Sequence, residues 1–384
     1  MPMRASSGHP WLLSLALVGV ACSASTALHD IERPSPSPAP ALATPAARPE
    51  PTATAPTATA PTATAPTATA PVVGPVPEAL PAQFAAIRSD PAPAGLIHDS
   101  HYWISNEHSH FVWHAQLQGI GGAYLGVGTD QNYLLAGWAR SELLLLVDFD
   151  AAVVELHQAY RVAFESSATP GEFLALWTRT GATTLADRIL VAYPDPDVHA
   201  GVLRAQRVAR ASVHARLRRT LRSHAVRGIA TYLDDQAQYD HLRALWRDGR
   251  VITVRGDLTG DATLVDVAAA LRAADVPLKV LYLSNTEQYF DYGPSFRRNI
   301  LGLGLGDGSL VLRTLGWRVH GFIEGEQYHY ASQSGPTFAA WMGHSRVISA
   351  GKMLARKRMT EVPGVSVVEA LPPPTRRLPE IARP

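Results

Sequence analysis

The sequence predicts an α/β fold, a doubly wound, mostly parallel sheet with a helical insertion, and three observations carry this. Five short apolar runs have the near-continuous hydrophobicity of strands buried on both faces: Ile120–Val127, Leu143–Asp148, Val251–Asp257, Leu278–Leu283 and Ser309–Leu315. Stretches of helical periodicity separate them, and such alternation closes into a parallel sheet covered on both sides. Polar or glycine-containing turns follow the runs, at the carboxyl ends where open α/β sheets bind ligands.

In chain order, the first feature is an export signal. Arg4 supplies positive charge and Trp11–Val20 a short apolar core, well under the roughly 18–20 residues that span a bilayer. Gly19-Val20-Ala21-Cys22 resembles the lipobox of bacterial lipoproteins, with Gly19 standing where that motif prefers an aliphatic residue. The resemblance implies lipidation of Cys22 after removal of residues 1–22 as a leader, and hence a membrane-anchored protein facing the periplasm or the cell surface. Cys22 is the single cysteine, so no intramolecular disulfide forms. Residues 23–87 read as a disordered spacer, with four tandem Pro-Thr-Ala-Thr-Ala copies at 51–70. Proline at this density breaks helix and sheet, and Ala and Thr offer too little apolar surface to collapse.

The folded domain is expected at 88–370, with a disordered tail at 371–384. A net charge of +1 argues against a dedicated nucleic-acid binder, and no nucleic-acid partner is expected. Between the first two strands, "DQNYLLAGWARS" reads as a helix that the Asp130 side chain would cap. "AAVVELHQAYRVAFES" carries a helical apolar stripe, and "DATLVDVAAALRAAD" is the next crossover helix. A helical insertion occupies about 166–248. Its middle holds Arg204, Arg207, Arg210, Arg216, Arg218, Arg219 and Arg222, expected as a solvated face paired with acids. The other reading of that stretch is contact with an anionic partner.

The candidate ligand-binding residues lie at the strand ends. Gly126 and Gly128 permit a tight turn and close approach to a ligand. Asp130 stands where a helix N-terminus would otherwise receive pyrophosphate, which disfavours NAD or FAD. Asp148, about twenty residues beyond Gly128, suits an acid accepting from ribose hydroxyls, or a cap shared with Asp150. Asp257 ends the third run, facing an adenine or capping a helix. Ser284, Asn285, Glu287 and Gln288 follow the fourth run, a polar cluster that needs partners or a ligand.

This order of motifs resembles class I S-adenosylmethionine-dependent methyltransferases. More specifically, "SNE" (105–107), "YLGVGTDQN" (124–132), "VDFD" (147–150) and "LYLSNTEQYF" (281–290) are similar to a family of uncharacterised bacterial proteins described as methyltransferase-like, over most of 100–345. The resemblance implies a Rossmann-like core and S-adenosylmethionine as cofactor. Two features depart from the methyltransferase pattern. Tyr124 replaces the usual acid two residues before the first glycine, and "WRVHGFIEGEQYHY" is the only candidate for the last hairpin. If the domain is catalytic, Glu287 would be the general base for a methyl acceptor, with Asn285 or Gln288 orienting it.

A histidine-rich stretch, "HDSHYWISNEHSHFVWH", holds His98, His101, His108, His110 and His114. No second ligand cluster accompanies it, so no metal is expected. The export signal conflicts with a cytoplasmic cofactor. The expectation is therefore an anchored lipoprotein with a methyltransferase-like domain, a methyltransferase of unknown acceptor. The alternative is a non-catalytic lipoprotein that binds a nucleoside-like small molecule or serves as a surface interaction protein.

Overall fold

The structure, a computed structural model, describes residues 80–93, 101–344 and 346–374. The leader, Cys22, the Pro-Thr-Ala-Thr-Ala repeats, His98 and the last ten residues lie outside them.

After helix α1 (Leu80–Ala85) and the single turn α2 (His114–Leu117), the chain forms β1 (Ala123–Val127), α3 (Gln131–Ala139), β2 (Leu143–Asp148) and α4 (Ala151–Glu165). Four helices then interrupt the alternation: α5 (Pro170–Leu176), α6 (Gly181–Ala192), α7 (Pro196–Ala225) and α8 (Gln236–Arg247). The sheet resumes with β3 (Val251–Arg255), α9 (Thr263–Ala273), β4 (Leu278–Tyr282), α10 (Pro294–Gly302) and β5 (Leu310–Leu315). It ends with β6 (His329–Ser334), α11 (Gly335–Gly343), α12 (Ala350–Leu354), β7 (Arg358–Met359) and β8 (Val365–Val367).

All five expected strands form, in an eight-stranded sheet of order β3-β2-β1-β4-β5-β6-β8-β7. The first five are mutually parallel. β6 then runs antiparallel to β5, pairing Leu315 with His329 through Leu310 with Ser334. Only a single 3-10 turn, Arg318–His320, lies in that connection, so the candidate last hairpin becomes a direct β5–β6 pairing.

Period-two alternation sends successive strand residues into two cores. Tyr124, Leu144, Leu146 and Tyr282 pack under α3, α4 and the insertion. Leu125, Leu143, Leu145 and Leu281 pack under α9, α10 and α11. The sheet is therefore covered on both faces, and its strand bodies are closed to ligands. Ligands of such sheets bind at the strand ends.

Helix starts follow side-chain chemistry. Asp150 accepts from the Ala152 N–H, Thr169 from Glu172 and Asp235 from Gln238. Two expected caps are absent. The Asp130 side chain makes no cap bond to α3, because it is drawn away by stronger partners described below. Asp257 and Asp261 do not cap α9. Asp90 does so from outside, accepting from the Ala262 and Thr263 N–H groups.

The domain boundaries also differ from those expected. Phe84 is buried in the second core and Arg88 pairs with Asp266, so the body starts near residue 80 rather than 88. At the other end, Trp341 donates to the Ala370 carbonyl and His344 contacts that of Pro373, which docks residues 371–374. Two proline-rich flanks hid these contacts, each made by a few residues.

Candidate functional site

The first strand end is built around its glycines. A Cβ on Gly126 would collide with Asn132 and the Tyr124 ring, and Gly128 has a φ of +90°, open only to glycine at low cost. Gln131 and Asn132 fold back onto the turn, each donating to the Val127 carbonyl at 3.1 and 3.2 Å. The turn is thus filled by its own helix. Tyr124, at the position of the usual acid, donates to Asn132 at 2.8 Å instead.

Asp130 is buried and already neutralised. Arg216, from the middle of the insertion helix α7, reaches its Oδ2 at 2.7 Å, and both side chains are about 3% exposed. The Ser105 N–H donates to its other oxygen at 2.9 Å. A carboxylate in this state does not repel a phosphate as a bare one would, so Asp130 does not disfavour phosphates as its sequence position suggests.

Ser105 begins a strap, residues 105–110, laid over the carboxyl ends of the sheet. Its centre is Glu107, 1% exposed. Oε2 accepts from Ser105 Oγ at 2.8 Å and Tyr282 Oη at 2.5 Å, and lies 3.3 Å from His110 Nε2. Oε1 accepts from Ser284 Oγ at 2.8 Å and from Thr314. Ser284 holds a left-handed φ of 50° to reach it, a strain of order 1 kcal/mol that the surrounding bonds offset. Although burial opposes ionisation, His110 and these hydroxyls outweigh it and hold the Glu107 carboxyl down at about 2. Further along, the His108 and Ser109 N–H groups donate to Tyr330 Oη, and Asn106 to Tyr328 Oη. The strap thereby occupies the space above β1, β4 and β5.

The fourth strand end is similarly saturated. Glu287 is 1% exposed and sits on Arg313 Nε at 2.5 Å, while Tyr292 Oη donates to its other oxygen at 2.5 Å. Gln288 accepts from the Gly316 N–H, and Asn285 precedes the short 3-10 turn Thr286–Gln288 without a side-chain bond to it. The structure does not bring these three side chains around a common opening. Asp257 accepts from Thr259 in a local turn.

Asp148 is different. It lies at the end of β2, 9% exposed, and among the described residues no Arg, Lys or His lies within ion-pair distance. The Asp150 N–H donates to it at 2.9 Å. Burial pushes its carboxyl up to about 7, against the pull of backbone donors at Asp150, Gly128 and Phe149. Beside it, His157 is buried with Nε2 against the Gly128 carbonyl at 2.9 Å and Nδ1 against Tyr133 Oη at 2.8 Å. Burial depresses that imidazole to about 4, so it is neutral and fixes the turn rather than countering Asp148. Asp130 faces Arg216 and the strap while Asp148 faces the 148–150 turn, so the two do not share one hydrogen-bonded set.

A cavity of about 320 Å³ adjoins this turn, at the small end of the range for ligand sites. His101, Trp103, Asp150, Glu155 and Arg204 border it, with His101 paired to Asp150 at 2.7 Å. Burial raises the Glu155 carboxyl, partly opposed by Arg204. Among the described residues no group of three or more His, Cys, Asp or Glu could hold a metal ion.

Glu107, Tyr282, Thr314, Arg216 and Arg313 could not be read from the sequence as a set, because they come from four distant segments. Glu107 and Tyr282 had a signal, in the "SNE" and "LYLSNTEQYF" similarities, and Arg216 stood in the arginine run.

No curated protein matches the chain. The profile of a family described as "Domain of unknown function (DUF7790)" matches residues 102–369, spanning the strap, the sheet and the insertion. The chain therefore belongs to the DUF7790 family.

Proposed function

We propose that this protein is a lipid-anchored, exported binding module: a Rossmann-like, methyltransferase-like domain tethered through Cys22 that holds a phosphate-free, nucleoside-like molecule at the end of β2. The observation that carries this reading is Asp148. A carboxyl raised from its ordinary value to about 7 makes the ionised form at higher pH costly, by roughly 4 kcal/mol. Paired hydroxyl donors from a ribose would offset that cost, and groups so perturbed concentrate at functional sites. The strand order 3-2-1-4-5 is compatible with the placement: the strap fills the space over the point where the order reverses, between β1 and β4, and leaves the neighbouring end of β2 on its flank. Asp150 and Glu155 border the adjoining opening, beside the turn that holds Asp148, and outnumber the Arg204 on its rim, which disfavours a polyphosphate. S-adenosylmethionine, S-adenosylhomocysteine and adenosine belong to the class that fits.

Binding is favoured over methyl transfer by the state of Glu287. A base must reach its substrate, and this carboxylate is enclosed between Arg313 and Tyr292. The strap fills the space over β4 where an acceptor would stand.

A thermal-shift titration of the full chain tests the reading, because a ligand of the native state raises apparent stability by about 2.7 kcal/mol at a hundred times its dissociation constant. The adenosyl compounds should raise the melting temperature of the wild type, whereas ATP and NAD should not. Asp148→Asn should remove the shift, and Glu287→Gln should keep it. No shift with any nucleoside at millimolar concentration would sink the reading. Fatty-acid labelling of the wild type, absent from Cys22→Ala, tests the anchor.

A further inference from the structure

The helix α7 carries a feature that ligand binding does not use. Between Val198 and Ala225 it contains seven arginines, no acidic residue and no Phe, Tyr or Trp. At about 100° per residue, Arg207, Arg210, His214, Arg218 and Arg222 fall on one face. Val202, Ala209, Val213 and Thr220 fall on the opposite face, which is buried. Arg207, Arg218 and Arg222 are exposed and Arg210 half-buried. Among the described residues no acid forms an ion pair with any of the four. The expected pairing with acids is met only at Arg216, which points the other way, to Asp130. The stripe runs for about 22 Å along a helix of 30 residues. His214 within it senses the excess charge: burial first, then Arg218 and Arg210, hold its imidazole below the usual range.

We propose that this arginine stripe docks the domain on anionic lipid headgroups, so that the tethered body lies with α7 against the bilayer. Charge complementarity selects an anionic partner, and the shape of the stripe selects a surface. It lies on the outward face of a single helix and carries no aromatic platform on which a nucleic-acid strand would stack. A lipid chain at Cys22 would supply one membrane signal, and durable attachment takes two, of which a polybasic patch is a common second.

The test is co-sedimentation of the full chain carrying Cys22→Ala with vesicles of phosphatidylcholine alone or with added phosphatidylglycerol. The apolar leader contributes equally to both, so the difference reports the stripe. Binding should rise with phosphatidylglycerol and fall with salt. Arg207, Arg210, Arg218 and Arg222 all changed to Gln should lower partition onto anionic vesicles several hundredfold, at about fivefold per arginine. The same four changed to Lys should retain it, which separates charge loss from misfolding. Equal binding to both vesicle types, or undiminished binding by a folded Gln variant, would overturn the proposal. Displacement from the vesicles by dextran sulfate or duplex DNA at matched charge would assign the stripe to those polyanions and overturn it too.

Discussion

Three buried carboxylates near the strand ends have a basic side chain beside them and one does not, which makes their predicted responses to substitution opposite. Asp130 and Glu287 each hold a buried guanidinium, so removing one partner leaves the other charged and desolvated. Arg216→Met should destabilise the fold by about 3–5 kcal/mol, read by urea unfolding, and Asp130→Asn added to it should recover part of the loss. Asp148→Asn should do the reverse. The amide oxygen still accepts from the Asp150 N–H, and the costly ionised form disappears. We expect a gain of up to roughly 4 kcal/mol at pH 8 and little at pH 4, where the native carboxyl is already protonated. A loss of stability at pH 8 would contradict the account of this residue. Asp148 was legible in the sequence because its spacing from Gly128 is set locally, by one helix. The state of Asp130 was not legible, because Arg216 comes from 86 residues away.

At the scale of elements, the strap and the insertion decide how much of the strand-end surface remains open. The five strands and their crossover helices could be read from apolar periodicity, which is a local property. The strap could not, because residues 105–110 have no repeating pattern and are held mainly by bonds to distant segments. Glu107 makes three of those bonds, to Tyr282, Ser284 and Thr314. Glu107→Ala leaves Tyr282, Ser284, Thr314 and His110 without their shared acceptor. Hydrogen exchange at residues 105–110 should then accelerate at least tenfold, while β1 and β2 amides stay protected. Unchanged protection of the strap would mean that Asn106, His108 and Ser109 suffice to hold it. The Arg216–Asp130 pair adds a second link, joining the insertion to the first strand turn. For this reason the insertion is part of the site and not an ornament on it.

At the scale of the whole molecule, acid stability follows from four histidines held neutral by burial. His157, His224, His241 and His329 are each depressed to about 4. Between pH 6.5 and 4 the unfolded chain binds these protons and the native state does not, so stability falls as pH falls. Asp148 acts oppositely, binding its proton in the native state up to about pH 7. The balance is about three protons, a slope near 4 kcal/mol per pH unit at its steepest. From these groups stability should therefore rise with pH and level off above about pH 7; a maximum below pH 5, by urea unfolding across pH, would contradict this. The most direct test of the central claim is calorimetric titration of the full chain with adenosine and S-adenosylhomocysteine between pH 6 and 8. If ligand hydroxyls donate to ionised Asp148, affinity should rise with pH through 7, with proton release on binding, and Asp148→Asn should lose both. Nucleoside binding whose affinity is indifferent to pH and to that substitution, or no binding heat at all, would contradict the claim.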